Sequence, residues 1–132
     1  MKKLTQITIY HDEEKKIIYQ IYFKDEQGLK QGGYKLFYDT GIIRAEGTYK
    51  DGKRNGAYKW FYENGNLESE GTYKDDERDG VCKDYYENGN LESEGTYKDG
   101  KWDGAYKWFY ENGNIMIERT YKDGILTDIK TF

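Results

Sequence analysis

The sequence predicts an all-β protein in which tandem 24-residue β-hairpin repeats form a single twisted or rolled antiparallel meander sheet. Three observations lead there. Glycines recur at Gly32, Gly56, Gly80 and Gly104, and a shift of 24 residues aligns most of what lies between them. Each unit holds two runs rich in Tyr, Phe, Trp and Thr, divided by an N-G dipeptide and closed by a D-G cluster, which are hairpin signals. The composition suits stacked rings better than an aliphatic core. Leu, Ile, Val and Phe together number 23 of 132 residues, equalled by the 23 Phe, Tyr and Trp, with 16 Gly and no Pro.

Residues 1–31 align loosely with the repeat, with Ile17 in the Leu67 position and Phe23-Lys24-Asp25 in the Tyr73-Lys74-Asp75 position, and read as a degenerate capping repeat. Four units follow over 32–127, at 32–55, 56–79, 80–103 and 104–127; the second and third share 17 of 24 positions. Residues 128–132 form a C-terminal edge segment. Edge strands need protection, and pairing of Ile125 to Phe132 with a second copy would make a homodimer through sheet edges.

Turn chemistry sets the expected register. With Asn64-Gly65 at the centre of a type I′ turn, Tyr62 faces Leu67, Trp60 faces Ser69 and Tyr58 faces Gly71. The same rule sets Lys35, Lys59, Lys83 and Lys107 opposite Glu46, Glu70, Glu94 and Glu118, an ion pair in every unit. A similar turn at Asp51-Gly52 brings Lys83 beside Glu68, Lys107 beside Glu92, and Ala45 beside Tyr58. Alternation then gathers the rings on one face in rows. Tyr34, Tyr58, Cys82 and Tyr106 form one row; Leu36, Trp60, Asp84 and Trp108 another; Tyr38, Tyr62, Tyr86 and Tyr110 a third; and Tyr49, Tyr73, Tyr97 and Tyr121 a fourth. About ten strands follow, in a sheet wide enough to curl around its aromatic face.

The pattern GxYKxFYENGNLxxEGTYKDGKxxG, nearly unbroken from Gly56 to Gly80 and again to Gly104, resembles the MORN repeat in the variant form of the YwqK-type antitoxins. That resemblance implies a β-hairpin array without catalytic residues. It also implies a function as an immunity protein that neutralises a cognate toxin, or as a scaffold or tether. The third unit departs from the pattern at Cys82 and Asp84.

Charge and residue inventory narrow the function classes. A net charge of −4 argues against nucleic acid and, with interleaved Lys and Glu, disfavours a membrane surface. No apolar stretch follows the opening lysines in the manner of a secretory signal, so the cytoplasm is the expected address. His11 and Cys82 are each the sole residue of their kind, which leaves no nucleophile–base pair. The acidic group Asp75, Asp76, Glu77 and Asp79 lacks the spacing of a calcium loop and reads as turn chemistry. Neither catalysis, metal nor cofactor is implied.

The expected function is a non-enzymatic protein-binding module, of the antitoxin, immunity or adaptor kind, acting through a curved aromatic-lined sheet. Tyr58, Trp60, Asp84, Tyr86, Trp102, Tyr106 and Trp108 are the candidate contact residues. Asp84, two strands from both Trp60 and Trp108, suits a Lys or Arg of the partner. The alternative is a small-ligand or surface-binding repeat protein that holds choline, glycans or a lipid headgroup in Tyr and Trp cages.

Overall fold

A computed structural model describes residues 3–132. The strands are β1 (Thr5–Tyr10), β2 (Ile18–Lys24), β3 (Lys30–Phe37), β4 (Ile43–Lys50), β5 (Lys53–Phe61) and β6 (Leu67–Lys74). They continue as β7 (Glu77–Arg78), β8 (Gly80–Tyr85), β9 (Leu91–Lys98), β10 (Lys101–Phe109), β11 (Ile115–Lys122) and β12 (Ile125–Thr131). They form one open antiparallel sheet in sequence order, with the two-residue β7 paired to β6 off the main path and β1 and β12 at the edges. The all-β meander is the fold expected from the repeat. Its strands number twelve, not about ten, because β12 extends the C-terminal edge and a break at Asp79 separates the short β7 from β8.

The N-G turns are one residue longer than the type I′ expectation. Tyr62 N–H donates to Asn66 O and Gly65 N–H to Tyr62 O, so Glu63 and Asn64 are the turn centre and Gly65 (φ 88°) takes the left-handed position after it. Leu67 therefore sits opposite Phe61, not Tyr62. A bulge then restores Trp60 to Ser69, Lys59 to Glu70 and Tyr58 to Gly71, the expected pairs.

At the other hairpin end, Asp51 (φ 51°) and Gly52 (φ 81°) do form a two-residue type I′ turn. The register beyond it differs from expectation. Tyr49 pairs with Arg54, yet Gly47 pairs with Tyr58, because left-handed Gly56 (φ 99°) lets β5 bulge before Tyr58. Tyr58 consequently lies beside Gly47 and Trp60 beside Ala45; Lys83 lies beside Glu70, not Glu68, and Lys107 beside Glu94, not Glu92.

The corrected register makes one row of strictly alternating charge across the sheet: Lys35, Glu46, Lys59, Glu70, Lys83, Glu94, Lys107, Glu118 and Lys130. Opposite charges on facing positions favour this pairing over slipped ones.

Alongside it runs a row of side chains laid over bare backbone. A Cβ built on Gly47 would stand 2.1 Å from the Tyr58 ring, one on Gly95 2.1 Å from the Tyr106 ring, and one on Gly71 2.7 Å from Cys82 Sγ. Each glycine is thus covered by a side chain of the following repeat, which docks the units on one another. The buried apolar residues are mainly these: Tyr34, Leu36, Ala45, Tyr58 and Tyr73 in one cluster, with Cys82, Tyr106 and Tyr121 further along.

Candidate interaction surface

The aromatic face consists of two ring clusters separated by a polar gap. In the first, Tyr58 packs on Tyr34 (6.3 Å between centroids), Trp60 (5.7 Å) and Tyr73 (5.9 Å). In the second, Trp102 packs on Tyr121 (4.6 Å) and Tyr106 (5.3 Å), and Tyr106 on Trp108 (4.4 Å). Tyr34 and Tyr58 are stacked and the other pairs are tilted or edge-on, arrangements that ring quadrupoles favour over a face-to-face sandwich. Between the clusters, the register runs Trp60, Ser69, Asp84, Ser93, Trp108. Ser93 is buried and its Oγ donates to Asp84 Oδ2 at 3.2 Å.

The candidate residues divide by exposure. Tyr58 and Tyr106 are only 3% and 5% exposed, so their rings serve packing within the chain. Burial pushes both phenols above the ordinary tyrosine range, Tyr106 to about 12. Trp60, Asp84, Tyr86, Trp102 and Trp108 keep intermediate exposure. Tyr86 is tied to the next repeat: its OH donates to Phe109 O at 2.6 Å, as Tyr38 OH does to Phe61 O at 2.6 Å and Tyr62 OH to Tyr85 O. Asn66 and Asn90 Nδ2 add bonds to Glu87 O and Glu111 O, so the N-G turns are docked in series.

Sequence reasoning missed the cations of this face. Lys30 Nζ stands 5.0, 5.0 and 5.2 Å from the ring centres of Tyr22, Tyr34 and Tyr49. The Arg54 guanidinium lies over Tyr73 at 4.4 Å, Arg78 over Tyr97 at 5.3 Å and Arg119 over Trp108 at 5.3 Å. The signal was available as basic residues at 30, 54 and 78, one repeat apart, with Trp102 next in the series. Cation over ring face is favourable on both electrostatic and packing grounds.

The remaining singled-out groups have local partners. Asp76 accepts from the Arg54 backbone N–H (2.8 Å) and Nε–H (3.0 Å), and the backbone bond leads the causes that hold its carboxyl below the usual range. It takes the turn position that Gly52 and Gly100 hold in neighbouring repeats. His11 Nε2 lies 3.0 Å from Phe37 O and its ring packs edge-on against Tyr19. Burial raises the Cys82 thiol pKa. Among the described residues no three His, Cys, Asp or Glu side chains come together as a metal site, and no helix is long and apolar enough to cross a membrane.

The opposite face is not flat. A depression of about 530 Å³ is lined by Ile21, Phe23, Thr48, Ala57 and the ladder residues Lys35, Glu46 and Lys59, with smaller ones near Val81.

A sheet assembled from equivalent hairpins, each covering the glycine of the one before, defines a tandem-repeat β protein of the kind that presents a broad binding surface. The MORN repeat variant model matches residues 30–51, 54–75, 78–99 and 102–123, and the chain belongs to that family. No match was found among curated proteins.

Proposed function

We propose that this chain is a non-enzymatic protein-binding module, an antitoxin, immunity or adaptor protein of the cytoplasm that occludes a surface of its partner. The observation that carries the reading is the gap at Asp84, where a carboxylate stands between two indoles on an otherwise ring-covered face. The partner places a Lys or Arg there, paired with Asp84 and flanked by Trp60 and Trp108. Arg119 already lies over Trp108, so Asp84 and the Trp60 indole are the groups that take the partner's cation. Tyr86 and Trp102 extend the contact area. Net charge of −4 favours encounter with a basic partner.

The small-ligand alternative depends on open aromatic cages for an ammonium group. Lys30 spans three tyrosines and Arg54 lies over Tyr73, so these rings already hold cations of the chain, which favours the protein-binding reading. The test is co-expression with the product of the adjacent gene. Complex formation and relief of its toxicity are expected, with affinity reduced at least about tenfold by Asp84→Asn or Trp60→Ala. Unchanged affinity in both variants refutes the Asp84 contact.

A further inference from the structure

The two edges of the sheet differ in what they offer. Every residue of β12 is exposed, including Ile125 (69%), Leu126 (47%) and Ile129 (50%), and Phe132 beyond it is 66% exposed. β12 holds no proline, its Asp128 and Lys130 alternate with Thr and Ile, and among the described residues no strand pairs with its outer side, so it is a template for another strand. The backbone fixes which residues are available. Phe132 N–H bonds Met116 O, and Lys130 and Asp128 face Glu118 and Thr120. Hydrogen-bonding direction alternates along a strand, so the N–H and C=O groups of Ile129 and Thr131 point away from β11, toward solvent.

We infer that β12 pairs antiparallel with β12 of a second copy about a two-fold axis at Ile129, giving one continuous sheet through the dimer. Three features of the strand fit this register and no other near it. Ile129 meets itself as a hydrogen-bonded pair, which its outward backbone groups allow. Asp128 meets Lys130 of the second copy twice over, so the alternating row that ends at Glu118 and Lys130 gains an acid next in line. Leu126 meets Phe132, and Thr127 meets Thr131. Shifting the axis by one residue to Asp128 would set the two Asp128 side chains against each other. The opposite edge is a poorer occupant. Thr5–Tyr10 carries no charged residue, so a head-to-tail β12–β1 contact would offer Asp128 and Lys130 no opposite charge and would generate open filaments. The two-fold keeps both aromatic faces on the same side, so the dimer leaves the Asp84 gap of each copy clear, and the inference stands independently of what binds there.

Sedimentation equilibrium on the full chain from about 1 µM to about 500 µM tests it, since an interface of one short strand pair is a weak one. A monomer–dimer equilibrium is expected. Asp128→Lys sets two lysines against each other in both halves and weakens the dimer at least about tenfold. Ile129→Pro removes an N–H that points away from β11, and abolishes the dimer while circular dichroism shows the sheet retained. Mixing Asp128→Lys with Lys130→Asp restores association as a heterodimer. A wild-type chain that stays monomeric over the whole range overturns the inference, as does a dimer indifferent to both Asp128→Lys and Ile129→Pro. Growth beyond dimers overturns it in favour of head-to-tail pairing.

Discussion

Residues 56–66 and 104–114 are the same eleven residues, GAYKWFYENGN, in the second and fourth repeats, yet their surroundings differ. Tyr58 lies between Gly47 and Gly71, two bare strands, whereas Tyr106 lies between Gly95 and Arg119. Beneath the same hairpin, Tyr73 is covered by the Arg54 guanidinium and Tyr121 by the Trp102 ring. The difference follows from position in the array. Gly47, Gly71 and Gly95 are tolerated because the next repeat lays Tyr58, Cys82 or Tyr106 over them. After the fourth repeat comes β12, which supplies no ring at that place: Ile129 faces Arg119. There the glycine gives way to a long side chain that turns back over Trp108, so Arg119 ends the aromatic row as a cap ends a solenoid.

If covering by the next repeat is what glycine permits, adding a methyl group should be most damaging where a ring is closest. Gly47→Ala and Gly95→Ala each force a Cβ to within 2.1 Å of a tyrosine ring and should cost about 3 kcal/mol, read as a fall in thermal midpoint. Gly71→Ala meets only the Cys82 thiol and should cost less, with Cys82→Ala recovering part of the loss. Equal effects at all three glycines would remove the distinction between ring and thiol cover.

The end cap offers a smaller test. Arg119→Gly makes the fourth repeat resemble the first three without a ring to follow, and about 1–2 kcal/mol of stability should go in denaturant unfolding. Trp102→Arg converts the fourth repeat to the second repeat's solution. Arg can lie over Tyr121 as Arg54 lies over Tyr73, so a change under about 1 kcal/mol is expected.

The pH dependence separates the two tyrosines last, because it vanishes at neutrality. Burial raises both folded-state pKa values above the unfolded value of about 10, so the stability they contribute is complete below that pH and is lost as pH rises through the folded values. Tyr106 should ionise near pH 12 and Tyr58 later, visible as delayed phenolate absorbance. Tyr58→Phe should flatten the alkaline loss more than Tyr106→Phe does.

Much of this was legible in the residues. N-G and D-G turns, period-two alternation and the Lys–Glu matches identify the hairpins, and Asp84 is recognisable as the polar residue in a tryptophan row. The register that the residues predict between hairpins is two residues from the one observed, because Gly56 reads as a strand glycine and its left-handed φ has no local signature. Tyr58 and Trp60 are both aromatic and on one face, but only the first is buried, and no local pattern separates them.

Periodicity, turn residues and alternation act over a few neighbouring positions, so the chain's order of amino acids alone determined a repeated antiparallel hairpin with its rings on one side. Which ring covers which glycine, which cation covers which ring, and whether Asp84 stands open are set between neighbouring strands, by residues such as Gly47 and Tyr58 or Arg54 and Tyr73 that lie 11 and 19 positions apart in the chain. Those contacts depend on bulges and on how side chains share space above the sheet, and only the assembled tertiary structure decides them.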